Sequence, residues 1–175
     1  WGVTLTCKYN RMPFGYCYAF NKNILEGKGY SPGSLYQLVY RYQWTYEKML
    51  EIASVCAEDT NGDGKNEIWG IAVDCEGGEL CSDGAEPVVF NSDSGKFNAN
   101  LLDSRVLTSL DFISKLNRNS MKYHVIIDGI TVGRVKRISV FYRGYAAFTG
   151  ANGTDFSNAK FSAVSGSLGL LPIPM

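Results

Sequence analysis

Tyr16-Cys17-Tyr18-Ala19-Phe20-Asn21-Lys22-Asn23-Ile24-Leu25 is the stretch whose reading sets the fold class. Its first five residues, Tyr16 to Phe20, are strand-forming types, and Asn21-Lys22 bring turn chemistry, so a strand ending in a turn is expected. Asn23 to Gly29 then reads as a short helical turn stopped by glycine, and Ser31-Pro32-Gly33 as a loop. Thr45 is a suitable helix N-cap, with Glu47 in the first turn, where the helix dipole favours a carboxylate. Met49, Ile52, Ala53 and Cys56 recur at helical spacing and give that helix one apolar stripe. Asp59 to Gly64 breaks it. Ile68 to Val73 reads as a buried strand, and Asp74 to Glu86 as a long, glycine-bearing acidic loop. Asp103 or Ser104 caps a second helix whose Val106, Leu110, Ile113 and Leu116 or Asn117 keep the helical period. A third helical stretch covers Ile130 to Tyr142, and Ala146 to Thr149 and Leu168 to Leu171 read as short strands. Strands alternate with helices, so the expected class is α/β, with a sheet flanked by helices.

The composition fits that reading. A chain of 175 residues suits one domain, and 45% hydrophobic with 19% charged residues is ordinary for a folded globular protein. Lysine plus arginine equals aspartate plus glutamate at 17 each, whereas nucleic-acid partners demand a basic face. The apolar runs fall far below the ~20 residues that span a bilayer. No charged start followed by an apolar core marks a signal peptide. The chain opens on Trp1, with Gly2 to Cys7 already reading as extended structure, and closes on Leu170-Leu171-Pro172-Ile173-Pro174-Met175. It is therefore expected to be a piece truncated at both ends, with any signal lying upstream. The cysteines Cys7, Cys17, Cys56, Cys75 and Cys81 form no CxxC pair and no zinc spacing. Buried free thiols are the main expectation, with a Cys75–Cys81 disulfide as the alternative.

Five phrases, in order along nearly the whole chain, resemble the extracellular solute-binding proteins of ABC importers, the family of maltodextrin-binding protein. Tyr18 to Leu25 is similar to the family's strand entering the second lobe, which ends in YNKxxL. Trp44-Thr45-Tyr46-Glu47-Lys48-Met49-Leu50 resembles its TW(D/E)E(L/M) helix start, and Asp59 to Gly70, DTNGDGKNEIWG, a common loop-to-strand passage. Tyr145-Ala146-Ala147-Phe148 is similar to GKAAM, and Leu168 to Pro174 to the following GVxPxP strand. The resemblance implies residues 1–175 as a single lobe, the C-terminal ligand-binding lobe, of a type II periplasmic-binding-protein-like fold. One departure concerns the ligand: Gly150-Ala151-Asn152-Gly153-Thr154 lacks the tryptophan that stacks on sugars in maltodextrin binders.

The sharpest chemistry is in Asp59-x-Asn61-x-Asp63-Gly64-x-Asn66-Glu67. Oxygen ligands at alternating positions, with a glycine for the tight turn, suit a calcium ion that takes six to eight oxygens. The EF-hand pattern needs a bidentate glutamate at position twelve, where Gly70 stands; the resemblance implies instead a carboxylate near position nine, which is Glu67. The expected ligands are Asp59, Asn61, Asp63, the Lys65 carbonyl and Glu67, around a structural Ca2+; the plain alternative is a glycine-rich turn that ends a helix. No organic cofactor is expected.

By position in the resemblance, Phe14 and Tyr16 fall on the hinge side of the ligand. Asp74, Glu76, Gly77 and Gly78 follow the strand after the calcium-like loop, and Thr149, Asn152 and Thr154 belong to the loop after Ala146-Ala147. These types suit sugar recognition, since aromatic faces stack on a pyranose while carboxylates and amides pair with hydroxyls. A strand tyrosine is also an ordinary core residue, which is the competing expectation for the aromatics. His124, the single histidine, has no serine or cysteine motif beside it, and Arg134, Lys136 and Arg137 read as a solvated helix face.

The expected function is the binding component of an ABC importer. It would be a monomeric, non-enzymatic receptor that captures a small-molecule solute, an oligosaccharide by family habit, between two lobes. Its partners are then the solute and the ABC permease subunits, not nucleic acid, and its location is extracytoplasmic, periplasmic or lipid-anchored. Two other classes compete. A glycoside hydrolase would need a carboxylate pair such as Asp74 and Glu86 at controlled separation, and a calcium-stabilised cell-surface module would rest on the DTNGDG loop alone.

Overall fold

The computed structural model describes residues 16–72, 84, 86–118, 126–127, 130–131, 135–156 and 165–174. Strand β1 (Cys17–Asn21) leads without a loop into α1 (Lys22–Gly27), because Asn21 is itself the cap: its side-chain oxygen accepts the Asn23 and Ile24 N–H groups. Helix α2 (Pro32–Tyr40) replaces the loop expected at Ser31-Pro32-Gly33. The Ser31 hydroxyl accepts the Ser34 N–H at 3.1 Å, and proline at the first helical position gives up only an N–H that the helix would leave unpaired. Turn-forming residues here open a helix.

Helix α3 (Tyr46–Cys56) is capped by Thr45, as expected, and buries Met49, Ile52, Ala53 and Cys56 together with Tyr46. A single bridge between Glu58 and Ile68 closes the acidic loop and starts β2 (Trp69–Ala72). β3 (Val88–Asn91) and β4 (Lys96–Ala99) form a hairpin absent from the sequence expectation. Its turn is built by Asn91, whose side chain accepts the Asp93 and Ser94 N–H groups, and by Gly95 at φ 65°. Helix α4 (Ser104–Arg118) follows, with its inner face at Val106, Ser109 and Phe112; Leu110, expected inside, is 40% exposed. Stacking of Phe112 on Tyr46, with centroids 4.2 Å apart, fixes that rotation.

Strands β5 (Ile126–Ile127) and β6 (Ile130–Thr131) pair with each other, and α5 (Val135–Tyr142) begins only after them. The third helix therefore starts at Val135 rather than Ile130: two β-branched pairs, Ile126-Ile127 and Ile130-Thr131, flank the dipeptide Asp128-Gly129, a sequence that favours a hairpin over a helix. β7 (Ala146–Ala151), α6 (Gly153–Phe156) and β8 (Leu168–Leu171) complete the described elements.

The main sheet has the order β2-β7-β1-β8; β2 runs parallel to β7, and β1 runs antiparallel to both β7 and β8. Both faces are covered. Tyr18, Phe20, Ile71 and Phe148 join Leu25, Leu35, Trp44, Met49, Ile52 and Phe112 in the larger cluster, so α1 to α4 meet over one face. Cys17, Ala19, Ala72, Ala146 and Ala151 are small, and Val140 and Phe141 of α5 fill the space above them on the other. The period-two alternation of large and small residues along β1 sorts the two layers.

Cys17 and Cys56 are buried free thiols in these clusters, and burial pushes both up to about 11. Cys7, Cys75 and Cys81 lie outside the described residues. Iodoacetamide at pH 8 is expected to leave Cys17 and Cys56 unlabelled in the native protein and to label both in urea, as read by peptide mass spectrometry. Native labelling at either position would contradict the packing described.

Candidate functional site at the carboxyl edge of the sheet

Parallel pairing places the carboxyl ends of β2 and β7, Ala72 and Ala151, at one edge of the sheet. The antiparallel register of β1 brings its amino end to the same edge, with Cys17 opposite Ala151 and Tyr16 just beyond. The end of β8 arrives there too, since Leu171 pairs with Tyr18. In open α/β sheets the carboxyl ends of the strands are where ligands bind, because the loops leaving them converge there.

Tyr16 is half-buried at this edge, packed against the larger core cluster and meeting Tyr18 edge-on at 6.0 Å. Asn152 is half-buried, and it and Asp155 hold each other. The Asn152 N–H donates to the Asp155 carboxylate at 2.9 Å, and the Asp155 N–H donates back to the Asn152 side chain at 3.3 Å. Thr154 lies in the single helical turn α6 that this exchange opens. Thr149 takes a different place from the one expected of a ligand contact. It is fully buried, and its hydroxyl donates to the Ala72 carbonyl at 2.7 Å, tying β2 to β7. Phe14, Asp74, Glu76, Gly77 and Gly78 lie outside the described residues. The edge thus gathers a phenol, an amide and a carboxylate, groups that stack on and hydrogen-bond to a hydroxylated solute.

The acidic loop sits elsewhere. It joins α3 to the amino end of β2, across the sheet from this edge. Asp59 accepts N–H groups from Gly62, Gly64 and Asn61 at 2.6, 2.7 and 3.2 Å. The Gly64 bond, helped by those of Gly62 and Asn61, holds its carboxyl below the usual carboxylate range. Glu67 accepts from the Thr60 N–H and hydroxyl and from the Asn61 amide. Gly62 and Gly64 turn the chain at φ 79° and 84°. Carboxylate oxygens of Asp59, Asp63 and Glu67 lie within 4.8 Å of one another. Two calcium–oxygen bonds of ~2.4 Å span that separation, so one ion fits between these oxygens.

A concavity of about 230 Å³ opens at the far edge as well, between Asn21, Asn23, Arg143, Gly144 and Leu168. It is away from the strand ends that carry Tyr16 and Asn152.

No family model matches the sequence, and no curated protein sequence matches it. Solved structures do. The maltose/maltodextrin-binding domain of Bdellovibrio bacteriovorus bound to maltotriose superposes over 93% of this chain with TM-score 0.62 at 18% identity. The chain has the fold of the sugar-binding ABC solute-binding proteins. Maltose-bound MalE3 of T. maritima matches 91% of the chain at TM-score 0.60 and 20% identity. An ABC transporter solute-binding protein of Agrobacterium vitis holding D-mannitol matches 93% at 0.61 and 15%. The chain spans only 37–38% of the length of these structures. Among the described residues no helix is long and apolar enough to cross a membrane.

Sequence reading passed over two glycines that shape this fold. Gly70, in β2, lies against α3, and Gly150, in β7, lies under Tyr16. A glycine inside a strand run is the signal that marks such close approaches.

Proposed function

We propose that this chain is the C-terminal ligand-binding lobe of a two-lobed receptor that supplies an ABC importer with a carbohydrate-class solute. The observation that carries the reading is the convergence of Tyr16, Asn152 and Asp155 at the carboxyl edge, on a fold whose solved examples hold maltotriose, maltose and mannitol. In this reading the solute lies between the described edge and a second lobe, and closure buries it. Asp74, Glu76 and Gly77, which follow β2 in the sequence, belong to the ligand set of this reading. The protein works outside the cytoplasmic membrane as a monomer, docks on permease subunits and changes no bond in the solute.

We further propose that Asp59, Asp63 and Glu67, with Asn61 and the Lys65 carbonyl, hold one Ca2+. The ion would neutralise three clustered carboxylates and pin the end of α3 to the start of β2, a structural role away from the solute. Acid opposes it: as pH falls through the depressed range of Asp59, protonation removes both the acceptor of the loop N–H groups and a metal ligand.

Thermal melting of the full-length protein in calcium and in EDTA, with maltotriose, laminaribiose, D-tagatose and D-mannitol, tests both proposals. One sugar should raise the midpoint by several degrees, since ligand at 100 times its dissociation constant adds about 2.7 kcal/mol. Calcium should raise the midpoint with or without sugar, and Asp59→Asn should abolish that rise alone. No shift with any sugar would overturn the carbohydrate reading; equal midpoints in calcium and EDTA would overturn the metal.

A further inference from the structure

One contact at the sheet edge is closer than a side chain at position 150 permits. A Cβ on Gly150 would lie 1.8 Å from the Tyr16 hydroxyl oxygen, 2.5 Å from the carbon bearing it and 3.2 Å from the next ring carbon. The register explains the approach. Tyr18 lies directly opposite Gly150, so Tyr16, two residues earlier on the same face, is its diagonal neighbour, within reach of an aromatic ring. The phenol therefore lies across bare backbone at the end of β7. Glycine in a strand interior weakens the strand, and its use here coincides with that close approach. Gly169 makes similar room for Phe20, but the Phe20 ring is fully buried and serves packing alone. Tyr16 keeps part of its surface at the edge.

We infer that Gly150 is a positioning residue for Tyr16, seating the hydroxyl end of its ring at the mouth of the solute cleft so that the ring forms a stacking wall for a sugar ring. The inference rests on the reading of this edge as the solute cleft. With a methyl at 150 the tip of the ring must swing outward. Because a side-chain end moves more easily than backbone, the fold survives and the wall is lost.

The test compares the full-length protein with Gly150→Ala, Tyr16→Ala and the double variant. Calorimetric affinities are taken for maltotriose, laminaribiose, D-tagatose and D-mannitol, and tetranitromethane nitration of Tyr16 is followed by peptide mass spectrometry. Gly150→Ala should weaken binding of the recognised sugar about tenfold, the loss of one stacked ring face. The double variant should bind no worse than Tyr16→Ala, and Tyr16 should be nitrated severalfold faster in Gly150→Ala. Unchanged affinity in Gly150→Ala, or a double variant weaker than Tyr16→Ala by the full Gly150→Ala factor, overturns the inference. If no sugar binds the unaltered protein, the cleft reading fails separately, and nitration still decides the seat: equal rates overturn it. Should Gly150→Ala fail to fold alone, the Tyr16→Ala background removes the clash and should restore folding; no restoration also overturns it.

Discussion

Gly70→Ala destabilises the protein by about 3 kcal/mol or more, the upper range for overpacking. The Cβ would lie 2.3 Å from the Ala53 carbonyl oxygen, 2.8 Å from its carbon and 3.0 Å from the Ala53 Cβ. These are backbone and first side-chain atoms in the last turn of α3, and no rotamer change relieves them. The helix must retreat from β2, which separates Met49, Ile52 and Cys56 from Ile71 across the larger cluster. Gly33→Ala is the control. Its nearest neighbour is the Ser31 hydroxyl at 3.9 Å, it lies in the first turn of α2, and alanine there should be neutral or stabilising. Urea unfolding checks both: the midpoint should fall steeply for Gly70→Ala with the slope unchanged. A midpoint equal to that of the unaltered protein would mean that α3 does not sit where the structure puts it.

Trp44→Ala has an effect of similar size, about 3–5 kcal/mol for an aromatic removed from a packed core. Trp44 is 2% exposed, lies 6.0 Å from Phe148 of β7 and donates its indole N–H to the Pro172 carbonyl at 2.9 Å. It joins the segment before α3 to the segment after β8, two parts of the chain 128 residues apart. Trp44→Phe separates the two contributions. It keeps most of the packing and loses the donor, so its expected cost is about 0.5–1.5 kcal/mol, the net worth of one hydrogen bond, because Pro172 is exposed and its carbonyl can turn to water. A Trp44→Phe variant as damaged as Trp44→Ala would point to the hydrogen bond rather than the packing.

Where local chemistry agrees with tertiary packing, the sequence was legible. Thr45 and the stripe from Met49 to Cys56 located α3, and the DTNGDG run located a loop whose three carboxylates converge. Ser31-Pro32-Gly33 misled because the same residues serve turns and helix starts; what distinguishes them is the Ser31 hydroxyl reaching the Ser34 N–H. The stretch from Ile130 onward misled because Ile130-Thr131 pairs with Ile126-Ile127 across the sequence Asp128-Gly129, a pairing that helical periodicity does not register. Leu110 and Phe112 exchange inside and outside because one aromatic stack with Tyr46 fixes the rotation of α4.

At the site, the register of β1 against β7 was needed to place Tyr16, and the pairing of β2 with β7 to place Thr149. A threonine next to the end of a strand can face a ligand or the neighbouring strand, and only the pairing of β2 with β7 decides for the Ala72 carbonyl. Gly150 was invisible as part of the site for the same reason: its meaning lies in the residue across from it.

The most direct test of the receptor reading is calorimetric titration of the full-length protein with maltotriose, laminaribiose, D-tagatose and D-mannitol, followed by chromatography of the recovered sugar. The account predicts saturable binding of one of them, one molecule per protein, with the sugar returned unchanged. Binding of none, or release of a cleaved product, would contradict it.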